Sequence, residues 1–187
     1  MTLLVIGLVL WSFVHLGKAL APRARSRLTG SIGEMPYKAV VSLLLVASIA
    51  LMVLGYKGAS GAIAYRPPPW GHGAGTVVAV VGMVLFVASG TKTNIKRYLR
   101  HPQMLSVVLW SVGHLLAGGQ WRAVVLFGGL ALWALVEIGA INRRDGAWQR
   151  PESVPGKADA VVVAIGLLVS AVLIGLHEWR GVSVISG

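Results

Sequence analysis

The sequence is dominated by long apolar stretches that alternate with short polar segments. A hydrocarbon core of roughly 30 Å requires about 20 apolar residues of helix, and stretches of this kind recur along the whole chain. We predict six spans, near residues 2–20, 38–57, 73–90, 102–118, 121–139 and 158–178. Only a Gly118-Gly119-Gln120 turn separates the fourth span from the fifth, so five spans is the alternative count.

The apolar runs are continuous, which favours helices over a membrane β-barrel because barrel strands alternate apolar and polar positions. The connections are too short to hold a further domain. We therefore predict an all-α, polytopic membrane helical bundle that forms a single domain over residues 1–187. The first span lacks a preceding basic segment and is followed by Lys18 and Arg23, so we expect it to be retained and not cleaved as a secretory signal.

Composition supports the membrane prediction. The chain is 56% hydrophobic and only 12% charged, whereas about a quarter of the residues in a soluble domain are charged. This excludes a soluble enzyme or a nucleic-acid-binding domain. The absence of cysteine also excludes disulfides and thiolate metal ligands, so a metal must be held by histidine, carboxylate or backbone groups.

The charge is strongly positive, with 17 Lys and Arg against 6 Asp and Glu. Most of the basic residues follow the first, third and fifth spans. Basic residues accumulate in cytoplasmic loops, so we expect an inner-membrane protein with both termini in the periplasm. The same rule accounts for the positive charge without a nucleic-acid partner, and the expected partner is the lipid bilayer.

Two histidines lie inside predicted spans, where ionisable side chains are costly and are candidates for function. His15 shares a helical face with Trp11, and His114 shares one with Trp110, because each pair is four residues apart. A histidine beside an aromatic ring and small residues suits a flat apolar ligand, but it also suits close helix packing. From the residues alone, both interpretations stay open.

Other candidates lie near the span ends. Arg100 and His101 precede Pro102 at the predicted start of the fourth span, where free N–H groups form a possible anion site, although positive-inside charge explains them equally simply. Glu137 is expected to pair with Arg143, Arg144 or Arg97. His72 and His177 fall at the outer boundary. These two positions suit interfacial residues as well as ligands.

Six segments in this order carry a resemblance to a known family: WSFVHLG (11–17), GEMPYKAVVS (33–42), PPPW (67–70), RYLRHPQML (97–105), LWSVGHLLAGG (109–119) and LHEWRGVS (176–183). Together they resemble the NnrU family of bacterial membrane proteins, which is named for its association with denitrification and nitric oxide metabolism. The family is similar to zeta-carotene isomerase, a membrane enzyme that binds haem b.

This resemblance implies haem b as a cofactor, with His15 and His114 matching the axial histidines of the isomerase. The two residues differ in predicted depth by roughly 10 Å, so His114 with His177 or His72 is the alternative outer pair, and His15 with His101 the inner one. The implied function is a haem-dependent isomerase or redox protein. A non-enzymatic haem or nitric oxide sensor, or an assembly partner of respiratory or denitrification membrane proteins, is the alternative.

A second resemblance points to membrane methyltransferases of the isoprenylcysteine and phospholipid type. It rests on Arg100-His101-Pro102 and on Glu137 with Arg143 and Arg144. It implies that these residues contact S-adenosylmethionine from the cytoplasmic side. The tyrosine-glycine continuation of the methyltransferase motif is replaced here by Gln103-Met104-Leu105-Ser106.

Overall fold

The structure is a computed structural model that describes residues 1–184. This range contains eight helices: α1 (Thr2–Leu20), α2 (Pro22–Ile32), α3 (Glu34–Gly58), α4 (Gly71–Gly90), α5 (Ile95–Tyr98), α6 (Pro102–Ala117), α7 (Trp121–Asp145) and α8 (Lys157–Trp179). It contains no β-strand, and Ile63 and Gln120 form an isolated bridge between two connections.

Five of these helices, α1, α3, α4, α7 and α8, are long and apolar enough to cross a membrane. The sixth apolar helix, α6, has 16 residues and is about 24 Å long at 1.5 Å per residue. The prediction of an all-α membrane bundle is confirmed. The fourth and fifth predicted spans are separate helices, because the chain is extended at Gly118 and Gln120.

Two helices fall where the sequence analysis expected loops. Only Ala21 separates α2 from α1. α2 has a proline in its first turn, a position that proline tolerates because its missing N–H has no helical partner there. It was missed because it has 11 mostly polar residues, and a search for long apolar runs does not detect such a helix. The four-residue α5 was not predicted either, because it is too short to form a long apolar run.

The apolar helices pack in the order α3, α1, α7, α6, α4 and α8, with α7 in contact with both α1 and α6. We call the end of the bundle at which α4 and α7 begin the predicted outer end, because the charge distribution assigns it to the outside. Small residues bring helices close together. At the α4–α6 contact, a Cβ atom on Gly113 would lie 2.5 Å from the carbonyl oxygen of Gly75.

The main apolar core lies between α1, α3 and α7 and contains Leu4, Leu8, Met52, Leu130, Trp133 and Ala134. Large apolar side chains also cover the exterior, among them Phe13, Leu43 and Leu168. An apolar exterior is expected where lipid replaces water as the solvent. The bundle therefore fits a lipid bilayer environment.

Candidate functional site

His15 lies in an aromatic cage near the end of α1. Its ring centroid is 4.2 Å from that of Trp11, one turn earlier in the same helix, and 4.9 Å from that of Trp133 in α7. The two indoles meet edge to face at 5.4 Å, an arrangement that aromatic pairs favour. We call these three residues the inner cage.

His114 lies in a second cage, near the end of α6. Phe127 of α7 stacks on its ring with centroids 4.3 Å apart and planes 22° apart. Trp110, one turn before His114, lies 4.7 Å from it and meets Phe127 edge to face at 5.0 Å. We call His114, Trp110 and Phe127 the outer cage.

The two cages rest on the same helix at different levels. Phe127 and Trp133 are six residues apart in α7, which corresponds to about 9 Å along the axis. No ring contact joins His15 to His114 within residues 1–184. The structure thus gives each of these histidines its own aromatic partners and does not bring the two together.

The histidine that does approach His114 is His177, in the last turn of α8. Their ring centroids are 6.4 Å apart and their planes are inclined by 52°. This is the outer pair predicted from the sequence as the alternative to His15 with His114. The pair lies at the predicted outer end, where α6 and α8 finish.

All three of these histidines are oriented in the same way. Nδ1 of His15 lies 3.0 Å from the carbonyl oxygen of Trp11, Nδ1 of His114 lies 2.8 Å from that of Trp110, and Nδ1 of His177 lies 2.8 Å from that of Leu173. A carbonyl only accepts, so Nδ1 carries the proton and donates. Nε2 then keeps a lone pair available for a metal, and the backbone bond holds the ring in place.

The remaining predicted site residues lie elsewhere. His101 is close to the side-chain oxygen of Asn142, with 2.8 Å between Nε2 and Oδ1, and Arg100 precedes it at the start of α6. The structure therefore shows a protein partner for the His101 ring. His72 lies at the start of α4 and lines a cavity at the predicted outer end.

Within residues 1–184, Glu137 does not form the ion pair that was predicted for it. The predicted ion pair with Arg143, Arg144 or Arg97 does not form in the described part of the chain, because Arg144 pairs with Asp145 at 2.7 Å. Glu137 is only 7% exposed, and its Oε2 has no hydrogen-bond partner among residues 1–184. The indole N–H of Trp11 is likewise buried without a partner among residues 1–184.

Sequence reasoning missed Trp133, Phe127 and Asn142. All three belong to α7 and contact histidines that lie outside α7. The sequence contained one usable signal for these residues: Trp133 lies one turn before Glu137 and so on the same helical face as a candidate site residue. Phe127 and Asn142 had no such signal because their partners lie on α6 or just before it.

A helical bundle with an apolar exterior and histidine cages between its helices defines a multi-pass integral membrane protein. The model of the NnrU protein family matches residues 3–184, so the chain belongs to the NnrU family, as its sequence segments predicted. Comparison with curated proteins and with solved structures gives no match.

Proposed function

We propose that this NnrU-family protein binds haem b through His114 and His177. The observation that carries the proposal is the 6.4 Å separation of their ring centroids. Metal–imidazole bonds are about 2 Å long, and a ring centroid lies about 1 Å beyond its nitrogen. Two imidazole rings at this spacing would therefore be close enough to hold one iron between them.

The donor set fits a haem better than a bare metal ion. Among residues 1–184 there is no group of three or more His, Cys, Asp or Glu side chains that could hold a metal. A bare ion between two histidines would therefore lack protein ligands. A porphyrin supplies four nitrogens itself and requires only axial ligands from the protein.

The surroundings of the two histidines support a different role for each. Trp110 and Phe127 pack on the ring of His114, so this side chain is fixed in its cage. His177 is exposed and lies in the last turn of α8, where helices open most easily. His177 is thus the ligand that would move aside for a substrate or for nitric oxide.

When bound, haem would supply a redox-active iron with two histidine ligands. This chemistry suits each role that the family resemblance implies: a nitric oxide or denitrification function, a haem-dependent isomerase or a redox protein. The S-adenosylmethionine alternative remains a prediction. The bond between His101 and Asn142 adds no support to it.

The test is an absorption spectrum of the detergent-purified, haem-supplied protein, oxidised and then reduced with dithionite. We expect a Soret band with sharp reduced α and β bands, lost in His114→Ala and converted to a five-coordinate spectrum in His177→Ala. His15→Ala and the control His101→Ala should keep the wild-type spectrum.

Two results would contradict the proposal. A protein that stays colourless after haem is supplied would remove haem binding altogether. A spectrum that is lost in His15→Ala but unchanged in His177→Ala would assign the second ligand to His15, provided that the melting temperature of the His15 variant matches the wild type.

A further inference from the structure

A cavity of about 670 Å³ opens at the predicted outer end, between the α3–α4 connection and the turn that joins α6 to α7. Its volume lies within the range of roughly 300–1,000 Å³ that is typical of small-molecule sites. Arg66 and His72 line it from one side, and Gly118 and Gln120 from the other. The cavity does not overlap the inner cage.

Backbone hydrogen bonds hold the two walls together. The N–H groups of Ala64 and Tyr65 both donate to the carbonyl oxygen of Gly119, at 2.7 and 3.1 Å, and the N–H of Trp121 donates to Ala62 at 3.0 Å. The Tyr65 hydroxyl donates to the carbonyl oxygens of Leu115 and Gly118. Because these bonds exist without a ligand, little ordering is required when one binds.

The lining favours an anion attached to an apolar body. No acidic side chain lines the cavity, and the Pro67–Pro69 segment forms an apolar wall. Within residues 1–184, neither the Arg66 guanidinium nor the His72 imidazole has a hydrogen bond or ion pair. Arg66 is exposed at the cavity, and arginine binds carboxylates through two parallel hydrogen bonds, so its guanidinium is free to bind a carboxylate that enters.

The cavity also lies close to the outer cage. Ala117 and Gly118 line it, and they follow His114 by three and four residues, which is one helical turn or about 5 Å. Haem b carries two propionate carboxylates on one edge of an otherwise apolar ring. Charged carboxylates are costly in hydrocarbon, so that edge must meet a polar site at the membrane boundary.

We infer that this cavity binds the haem propionates and that Arg66 is their principal partner. The inference rests on the proposed function, because it requires a haem held by His114. It adds a binding site for the anionic edge of the cofactor, formed mainly by the two connections at the predicted outer end. Arg66 positions the cofactor and is not itself an iron ligand.

The experiment compares protohaem with its dimethyl ester, which lacks the two negative charges. Each compound is titrated into full-length, detergent-purified wild type, Arg66→Gln and Arg66→Lys, and Kd is measured from the Soret band. We expect wild type to bind protohaem about tenfold more tightly than the ester, as a charge-assisted bond allows. Arg66→Gln should lose this preference while binding the ester as wild type does, and Arg66→Lys should retain part of it.

Arg180→Gln is the matched control, since it removes an exposed arginine from the same end of the bundle without lining the cavity. It should keep the wild-type preference. An Arg66→Gln protein that still prefers protohaem tenfold, or that weakens both compounds equally, overturns the assignment to the propionates. Wild type that binds neither compound overturns the proposed function instead, so the two failures are distinguishable.

Discussion

Replacing Gly113 by alanine tests whether close α4–α6 packing stabilises the bundle. The new Cβ would lie 2.5 Å from the Gly75 carbonyl oxygen and 3.0 Å from the Cβ of Ala79. Backbone atoms cannot rotate away as a side-chain tip can, so the two helices must separate by about 1 Å to restore ordinary contacts. Overpacking of this kind costs about 1–3 kcal/mol.

The better helix propensity of alanine offsets about 1 kcal/mol of that cost, so we expect a net loss in the free energy of unfolding of about 0–2 kcal/mol against wild type and of about 1–3 kcal/mol against another exposed-site Gly→Ala variant. The assay is reversible unfolding in mixed detergent micelles, followed by circular dichroism. Gly128→Ala is the matched control, because no atom lies within 4 Å of the Cβ it would add. If Gly113→Ala is as stable as Gly128→Ala, the packing argument is refuted.

Three further predictions follow from local features. Leu28 is 52% exposed on α2, and we expect α2 to lie at the membrane surface. Since the chain has no cysteine, a nitroxide on Leu28→Cys in nanodiscs should be protected from a water-soluble relaxation agent, whereas one on Ser26→Cys, on the opposite face of α2, should not. Asp159→Asn weakens the hydrogen bonds that tie α8 to Asn94 and should lower the free energy of unfolding. Wild-type stability in the same micelles would disprove this. Burial raises the pKa of Tyr65 above its usual 10.0. The stabilisation from its hydroxyl bonds should therefore be complete below about pH 10 and be lost as the pH rises through the raised pKa. When the free energy of unfolding is measured against pH, this loss should be absent in Tyr65→Phe.

The sequence predicts only those contacts of the candidate site that join residues of one helix. The contacts of Trp11 with His15 and of Trp110 with His114 follow from four-residue spacing, because residues i and i+4 are neighbours in any α-helix. The inner and outer levels of the two histidines also follow from residue counts. The contact between His114 and His177 joins residues that are far apart in the chain, and no local spacing predicts it.

The sequence alone determined that this is a helical membrane protein of the NnrU family, with apolar helices at the predicted places. Length, hydropathy and local periodicity are properties of each segment, so they can be read without knowing its neighbours. Tertiary structure decided that α7 lies between α1 and α6, that Glu137 forms no ion pair within residues 1–184 and that two connections line the cavity at Arg66. Every span is apolar, so hydrophobicity does not distinguish one partner from another in lipid, and helix order depends on the close fit of particular side chains and glycines.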